Sequence, residues 1–226
     1  MWETAPVSGT AQAREAASAQ GVSLHDDAAR VLRAWTGPNA EQERLRERYV
    51  RHLDAHDPAS GAGTGAESGA DSGAVSGVFR ECVPDHLTAS TLVLSHDGAR
   101  VLLTLHAKAQ QWFQLGGHLE PGDRTLAGAA EREAREESGL PLTVGPSPVH
   151  LDEHVVPFCR PGTGGPARPV HHLDVRFVAV AEPGAEGVVS DESLDVRWWP
   201  VDALPNPELA ELVDLALAAH PERRSL

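Results

Sequence analysis

At 226 residues, 41% of them hydrophobic, the chain can bury one ordinary globular core with some material left over. The 19 basic against 33 acidic residues leave a net charge of −14, which argues against a nucleic-acid groove and favours a cation or a basic partner. Cys82 and Cys159 lie far apart, in neither a CxxC nor a zinc spacing, so reduced thiols are expected rather than a disulfide framework.

In chain order, "MWETAPVSGTAQAREAASAQ" has no basic region followed by an apolar run, and no later stretch has the length and apolarity to span a bilayer. A cytoplasmic protein without membrane association is the expectation. The segments "DDAARVLRAW" and "NAEQERLRERYVRHLDAH" space their apolar residues three or four apart and are separated by Gly37-Pro38, which predicts two helices. Val31, Leu32 and Trp35 make one apolar stripe, and Leu45, Tyr49 and Leu53 the other. Two helices alone bury little. This N-terminal helical segment, residues 1–58, should therefore pack on the main domain or on a second copy of the chain in a homodimer. Residues 59–78, "ASGAGTGAESGADSGAVSGV", have too few large apolar side chains to build a core and read as a disordered linker.

Residues 79–226 are expected to form the main domain. "LTASTLVLS" and "ARVLLTLH" are β-rich runs joined by His96-Asp97-Gly98, a hairpin signal. Further strands are expected at "VHLDEHVVPF", "HHLDVRFVAVA" and "LDVRWWPV", and a closing helix at "PELAELVDLALAAH". Strands interrupted by one helix and followed by another predict an α/β domain, a mixed sheet with helices on its faces.

The interrupting helix lies in "LGGHLEPGDRTLAGAAEREAREESGL", Leu115 to Leu140. A helix turns about 100° per residue, so with Glu133 at zero, Glu137 falls near 40° and Glu136 near −60°. Ala129 and Ala130 share that side, so three carboxylates crowd the face that should press on the sheet. Like charges at this spacing repel by about 0.2–0.5 kcal/mol per pair, more when partly buried. A hard divalent cation, magnesium or manganese, removes the conflict, and such ions commonly share substrate phosphates. The competing reading is a solvated helix with Glu131–Arg135 and Arg132–Glu136 ion pairs. The turn "LGGHLEPGD" favours the cation, because its backbone can supply a carbonyl to a cation and amides to an anion.

The stretch resembles the signature of the Nudix hydrolases: Gly, five residues, Glu, seven residues, then Arg-Glu-apolar-any-Glu-Glu-any-Gly-apolar. The second half is present in full from Arg132 to Leu140. In the first half Asp123 stands for the glutamate after Gly117, and eight residues rather than seven lead to Arg132. The insertion should lengthen the loop before the helix and puts the Asp123 contact with the helix in question more than the metal site. "WFQ" before the box and "VRWWP" after it also resemble the family's layout, over about residues 80–220.

The resemblance implies an α/β/α sandwich that hydrolyses a nucleoside diphosphate linked to another moiety, by water attack at phosphorus with bound magnesium. Carried onto this sequence, Glu133 and Glu137 are the first metal ligands, Glu136 shares the cluster, and the Gly116 carbonyl is the backbone ligand. Arg132 would orient the glutamates. The resemblance implies a general base drawn either from the signature glutamates or from a separate loop, where Glu192 in "VSDES" is the candidate and Glu153 its competitor. His118 would contact substrate phosphate, and Trp112 would stack on a base or pack at the rim. Adjacent His171 and His172 should point to opposite faces of a strand, and no histidine spacing matches a zinc site. The tyrosine that marks diadenosine polyphosphate hydrolases has no counterpart, since Tyr49 is the only tyrosine. Pro157 lies about where ADP-ribose pyrophosphatases carry a proline, but a proline there also simply closes a strand, so ADP-ribose, nucleotide sugars and oxidised nucleoside triphosphates all stay open as substrate classes. The alternative is a catalytically silent, nucleotide-binding regulatory module; loss of the box glutamates would have favoured it, and all three are present.

Overall fold

Ser23 accepts a hydrogen bond from the Asp26 amide to start helix α1 (Leu24–Ala34), and Asn39 accepts from Gln42 to start α2 (Ala40–Ala55). The structure, a computed structural model, describes residues 22–60, 75–156, 169–189 and 193–220. Most of the expected linker, residues 61–74, and Glu192, Pro157 and Cys159 lie outside the described residues.

Among the described residues, seven strands make one mixed sheet: β1 (Asp85–Leu94), β2 (Arg100–His106), β3 (Gln111–Phe113), β4 (Leu115–His118), β5 (His150–Val155), β6 (His171–Val180) and β7 (Ser193–Pro200). β1 is central. Along one side it pairs in parallel with β6, from Asp85↔His171 to Leu94↔Val180. Along the other it pairs antiparallel first with β4, through Thr88 to Thr91, and then with β2, through Val93 and Leu94. Sharing one edge between two partners curls the sheet. The His96-Asp97-Gly98 turn closes the β1–β2 hairpin as expected, with Val93 opposite Leu102.

The alternation of β1 assigns its faces. Leu87, Ala89 and Val93 enter a core shared with α1, α2 and α3 (Leu126–Ser138), while Leu92 and Leu94 meet α4 (Ala210–Ala219) on the opposite face. Helices cover both faces of a mixed sheet, which is the α/β/α arrangement. The two stripes read for α1 and α2 are the buried ones: Leu32, Tyr49 and Leu53 are wholly enclosed, and Trp35 and Leu45 pack at the margin. Full burial of Leu32 and Leu53 contributes about 1.5–3 kcal/mol each.

The N-terminal helices also finish the sheet. β5 is an edge strand, and Gln42 of α2 donates to the Leu151 carbonyl (3.0 Å) while accepting from the Leu151 amide (2.7 Å). The side-chain amide thus stands where another strand would pair. Tyr49 Oη donates to the Asp152 carbonyl at 2.7 Å, and Arg48 forms an ion pair with Asp85. No helix of the described residues is long and apolar enough to cross a membrane.

Candidate active site

Helix α3 is held at both ends. Thr125 Oγ1 accepts from the Gly128 amide at 3.0 Å, and the Leu126 amide, otherwise without a helical partner, donates to Asp27 Oδ2 of α1 at 2.9 Å. Gly139 ends the helix in the left-handed conformation, φ 69°, with its amide on the Arg135 carbonyl. Ala129, Ala130 and Ala134 are buried against the sheet, and Thr91 Oγ1 of β1 donates to the Ala130 carbonyl. Small residues let α3 approach closely, which brings its glutamates to β4.

At β4 the two glycines have separate reasons to be there. A Cβ on Gly116 would lie 2.3 Å from Ser90 Cβ, so β4 could not keep its pairing with β1. A Cβ on Gly117 would lie 2.8 Å from Glu133 Oε2. The Glu133 carboxylate therefore occupies the space left by the missing side chain, and the Gly116 amide donates to Glu137 Oε2 at 2.9 Å. Two carboxylates converge on the Gly-Gly backbone. Oxygen donors beside a bare strand suit a hard divalent cation, so the residues present fit the metal that the signature implies. Glu136, with 60% of its side chain exposed, faces outward.

Arg132 organises this cluster. Its guanidinium meets Asp123 through two 3.0 Å hydrogen bonds, Glu133 at 3.0 Å, Glu136 at 3.1 Å and the His118 carbonyl at 3.1 Å. The paired Asp123 carboxylate, first among these, raises the pKa of Arg132. Asp123 thus reaches the helix despite the inserted residue, and its second oxygen accepts from the Glu120 amide to close the Pro-Gly turn. Both ion pairs of the solvated-helix reading also form, Glu131–Arg135 at 2.9 Å and Arg132–Glu136 at 3.1 Å. Glu131 further accepts from the Val144 amide. One helix therefore carries a crowded inner face and a conventional outer one.

The opposite face of the sheet holds a second set of polar groups. His86, Thr88 and Ser90 alternate along β1, and His172, Asp174 and Arg176 along β6, the two runs side by side in parallel register. Asp174 is buried and accepts from Thr88, Ser90, Gln114 and Arg176 at 2.8–3.1 Å. His118 joins from β4, stacked on His86 with ring centroids 5.2 Å apart. Burial lowers the pKa of His118 to about 4 and of His172 to about 3, with the neighbouring imidazoles adding to the shift. Sequence reasoning did not single out Asp174, Arg176, Gln114 or His86. The signal that could have found the strand residues is the polar alternation at every second position of two otherwise apolar runs.

The remaining expected site residues lie apart from the glutamates. Trp112 makes an edge contact with Trp199, centroids 5.2 Å apart, has Arg197 over its ring, and packs on the α4 side of the sheet. Glu153 on β5 lies 3.4 Å from Arg48 of α2. His171 bonds to Asp85, whereas the ring of His172 meets those of His86 and His118, so the neighbours face opposite ways as expected.

A family model described as the NUDIX domain matches residues 84–218. Similar solved structures include a NUDIX-family hydrolase from Clostridium perfringens, 23% identical, with 60% of this chain and 98% of that chain covered and a TM-score of 0.45. Others are the E. coli dihydroneopterin triphosphate pyrophosphohydrolase (17% identity, 59% and 96% covered, TM-score 0.47) and a C. elegans Ap4A hydrolase (18%, 59% and 96%, 0.44). Comparison with curated proteins gives no match. Because the family model spans more than half of the chain and contains the entire glutamate signature, this protein belongs to the Nudix family.

Proposed function

We propose that the chain is a magnesium- or manganese-dependent hydrolase that cleaves the pyrophosphate bond of a nucleoside diphosphate linked to another moiety. The observation that carries this reading is the convergence of Glu133 and Glu137 on the Gly116–Gly117 backbone. In this reading Glu133, Glu137 and the Gly116 carbonyl hold the cation, with Glu136 at the exposed rim. A cation bound there neutralises phosphate charge and lowers the pKa of water. Arg132 keeps Glu133 and Glu136 in place and, with its guanidinium already engaged by Asp123, serves as a positioning residue. Water attacks phosphorus, a P–O bond of the anhydride breaks, and a carboxylate takes the proton. Glu192 is the proposed acceptor. Glu153 is the weaker contender, because Arg48 holds it beside α2.

The test is a screen of nucleoside diphosphate derivatives with chelator-treated protein, identifying both products. Magnesium or manganese should restore turnover, and Glu137→Gln should abolish it while leaving the melting temperature within a few degrees of wild type. Glu47→Gln, on an exposed face of α2, is the control. Full turnover by Glu137→Gln would remove that residue from the site. For Glu192→Gln, kcat should fall about 10²–10⁴-fold with little change in substrate binding. Nucleotide binding without turnover in wild type would replace the hydrolase with a regulatory module.

A further inference from the structure

Three histidines far apart in sequence meet on the sheet face away from α3. His86 of β1 pairs with His172 of β6, and His118 of β4 lies opposite Thr88, two residues along β1. The ring centroids form a triangle with sides of 5.2, 4.9 and 4.9 Å, and one ligand nitrogen from each ring lies within 4.8 Å of the others. We propose that His86, His118 and His172 form a second metal site, distinct from the glutamates and selective for a borderline divalent transition ion of the zinc type.

The hydrogen bonding favours a ligand here. Nε2 of His118 and Nε2 of His172 are buried and have no hydrogen-bond partner among the described residues, which leaves two desolvated polar atoms for a ligand to satisfy. His86 Nδ1 lies 3.3 Å from the Cys82 carbonyl. A carbonyl only accepts, so Nδ1 carries the hydrogen and Nε2 keeps its lone pair, the tautomer of a supported metal ligand. His154, its ring 5.5 Å from that of His172, is oriented in the same way by Asp152 through its Nδ1. Asp174, the nearest buried carboxylate on β6, is already satisfied by four donors and leaves the ligand set all-imidazole.

That donor set decides the ion. Imidazoles suit zinc, copper or nickel, whereas magnesium prefers oxygen, so the two centres would sort their metals by chemistry. Tetrahedral zinc with bonds of about 2.0–2.1 Å needs nitrogens about 3.3 Å apart, which modest side-chain rotations would reach. Three protein ligands leave a fourth position for water or an anionic oxygen. Two other clusters have comparable spacing but different donors: His52–His56–Cys82 includes a buried thiol, and in Asp85–Glu153–His171 the carboxylates face Arg48. The proposal is independent of the hydrolase reading, and its test needs no turnover.

Full-length protein, stripped with chelator and held in excess MgCl2 to occupy carboxylate sites, is titrated with CoCl2 and followed by visible absorption. One cobalt per chain should bind with ligand-field bands of low coordination number, ZnCl2 should displace it, and zinc should raise the melting temperature. His118→Ala and His172→Ala should each weaken binding by at least about 100-fold, the upper end of what losing a mere supporting group costs. His118→Gln and His172→Gln, closer in volume, repeat the test if the alanine variants do not fold. Glu137→Gln should bind cobalt as wild type does. Absence of cobalt binding under excess magnesium, or equal binding by wild type and the folded histidine variants, overturns the proposal.

Discussion

Gly116 and Gly117 are neighbours whose replacement by alanine should have opposite consequences. At Gly116 the new methyl would meet Ser90 Cβ at 2.3 Å and the Ala89 carbonyl oxygen at 2.7 Å, atoms fixed by the β1 backbone. Gly116→Ala should therefore lower stability by about 1–3 kcal/mol in denaturant unfolding, as overpacking does. At Gly117 the clash is with the carboxylate of Glu133, the far end of a flexible side chain. Gly117→Ala should melt close to wild type yet need about tenfold more magnesium for half-maximal turnover, the displacement of one ligand being worth about 1.4 kcal/mol or more. An unchanged magnesium requirement in that variant would take Glu133 out of the metal site. Glu131, elsewhere on the same helix, holds structure rather than the cluster. It accepts from the Val144 amide and pairs with Arg135, which in turn donates to the Leu142 carbonyl, so it secures the chain leaving α3.

Helices α1 and α2 precede the matched family region but support its working parts. Asp27, with 4% of its side chain exposed, caps α3 from outside by accepting from the Leu126 amide, and Arg30 pairs with its other oxygen. Asp27→Ala leaves that buried N–H without a partner, and a loss of about 0.5–2 kcal/mol is expected by urea unfolding. A stability equal to wild type would show that water replaces the carboxylate. Gln42→Ala should act at the β5 edge of the sheet, where both polar groups of Leu151 lose their partner. Faster hydrogen exchange at the Leu151 amide is the specific readout, because fraying of an edge strand raises exchange there before global unfolding does. Slow exchange retained at that amide would contradict the role of Gln42 as a substitute strand.

Over the whole molecule, several buried histidines tie stability to pH. His25, His52 and His150 have lowered pKa values caused first by burial, and His52, 5% exposed, is lowered from 6.5 to about 4. Between those two values the unfolded chain binds a proton that the folded chain refuses, so stability falls as pH drops. The contribution is fully present above about pH 6.5 and is lost progressively towards pH 4, on the order of 3 kcal/mol for His52 alone. Melting temperatures measured at pH 7.5, 6 and 5 should decline in that order. A flat profile would mean that these rings accept protons inside the fold. Asp152, lowered to about 2 against the opposing effect of its burial, has its own loss at more acid pH, as the carboxylate paired with His154 and Arg176 becomes protonated.

What the sequence determined by itself is what neighbouring residues decide among themselves. The glutamate helix and the His96-Asp97-Gly98 hairpin are legible because helix faces repeat within four residues and a tight turn needs only a few. The apolar stripes of α1 and α2 were equally plain, but stripes do not name their partner, and only the fold lays them on the sheet of the same chain. The same limit hid the Asp27–Leu126 and Gln42–Leu151 contacts and the histidine triangle. His86, Thr88 and Ser90 alternate visibly along one strand, and His172, Asp174 and Arg176 along another, yet nothing local says that the two strands run parallel with His86 beside His172. Strands recognise one another through backbone hydrogen bonds common to every residue, so register is set by how both faces bury their side chains. That packing is a property of the whole sheet, and it is what brings together on one face imidazoles that no spacing along the chain would connect.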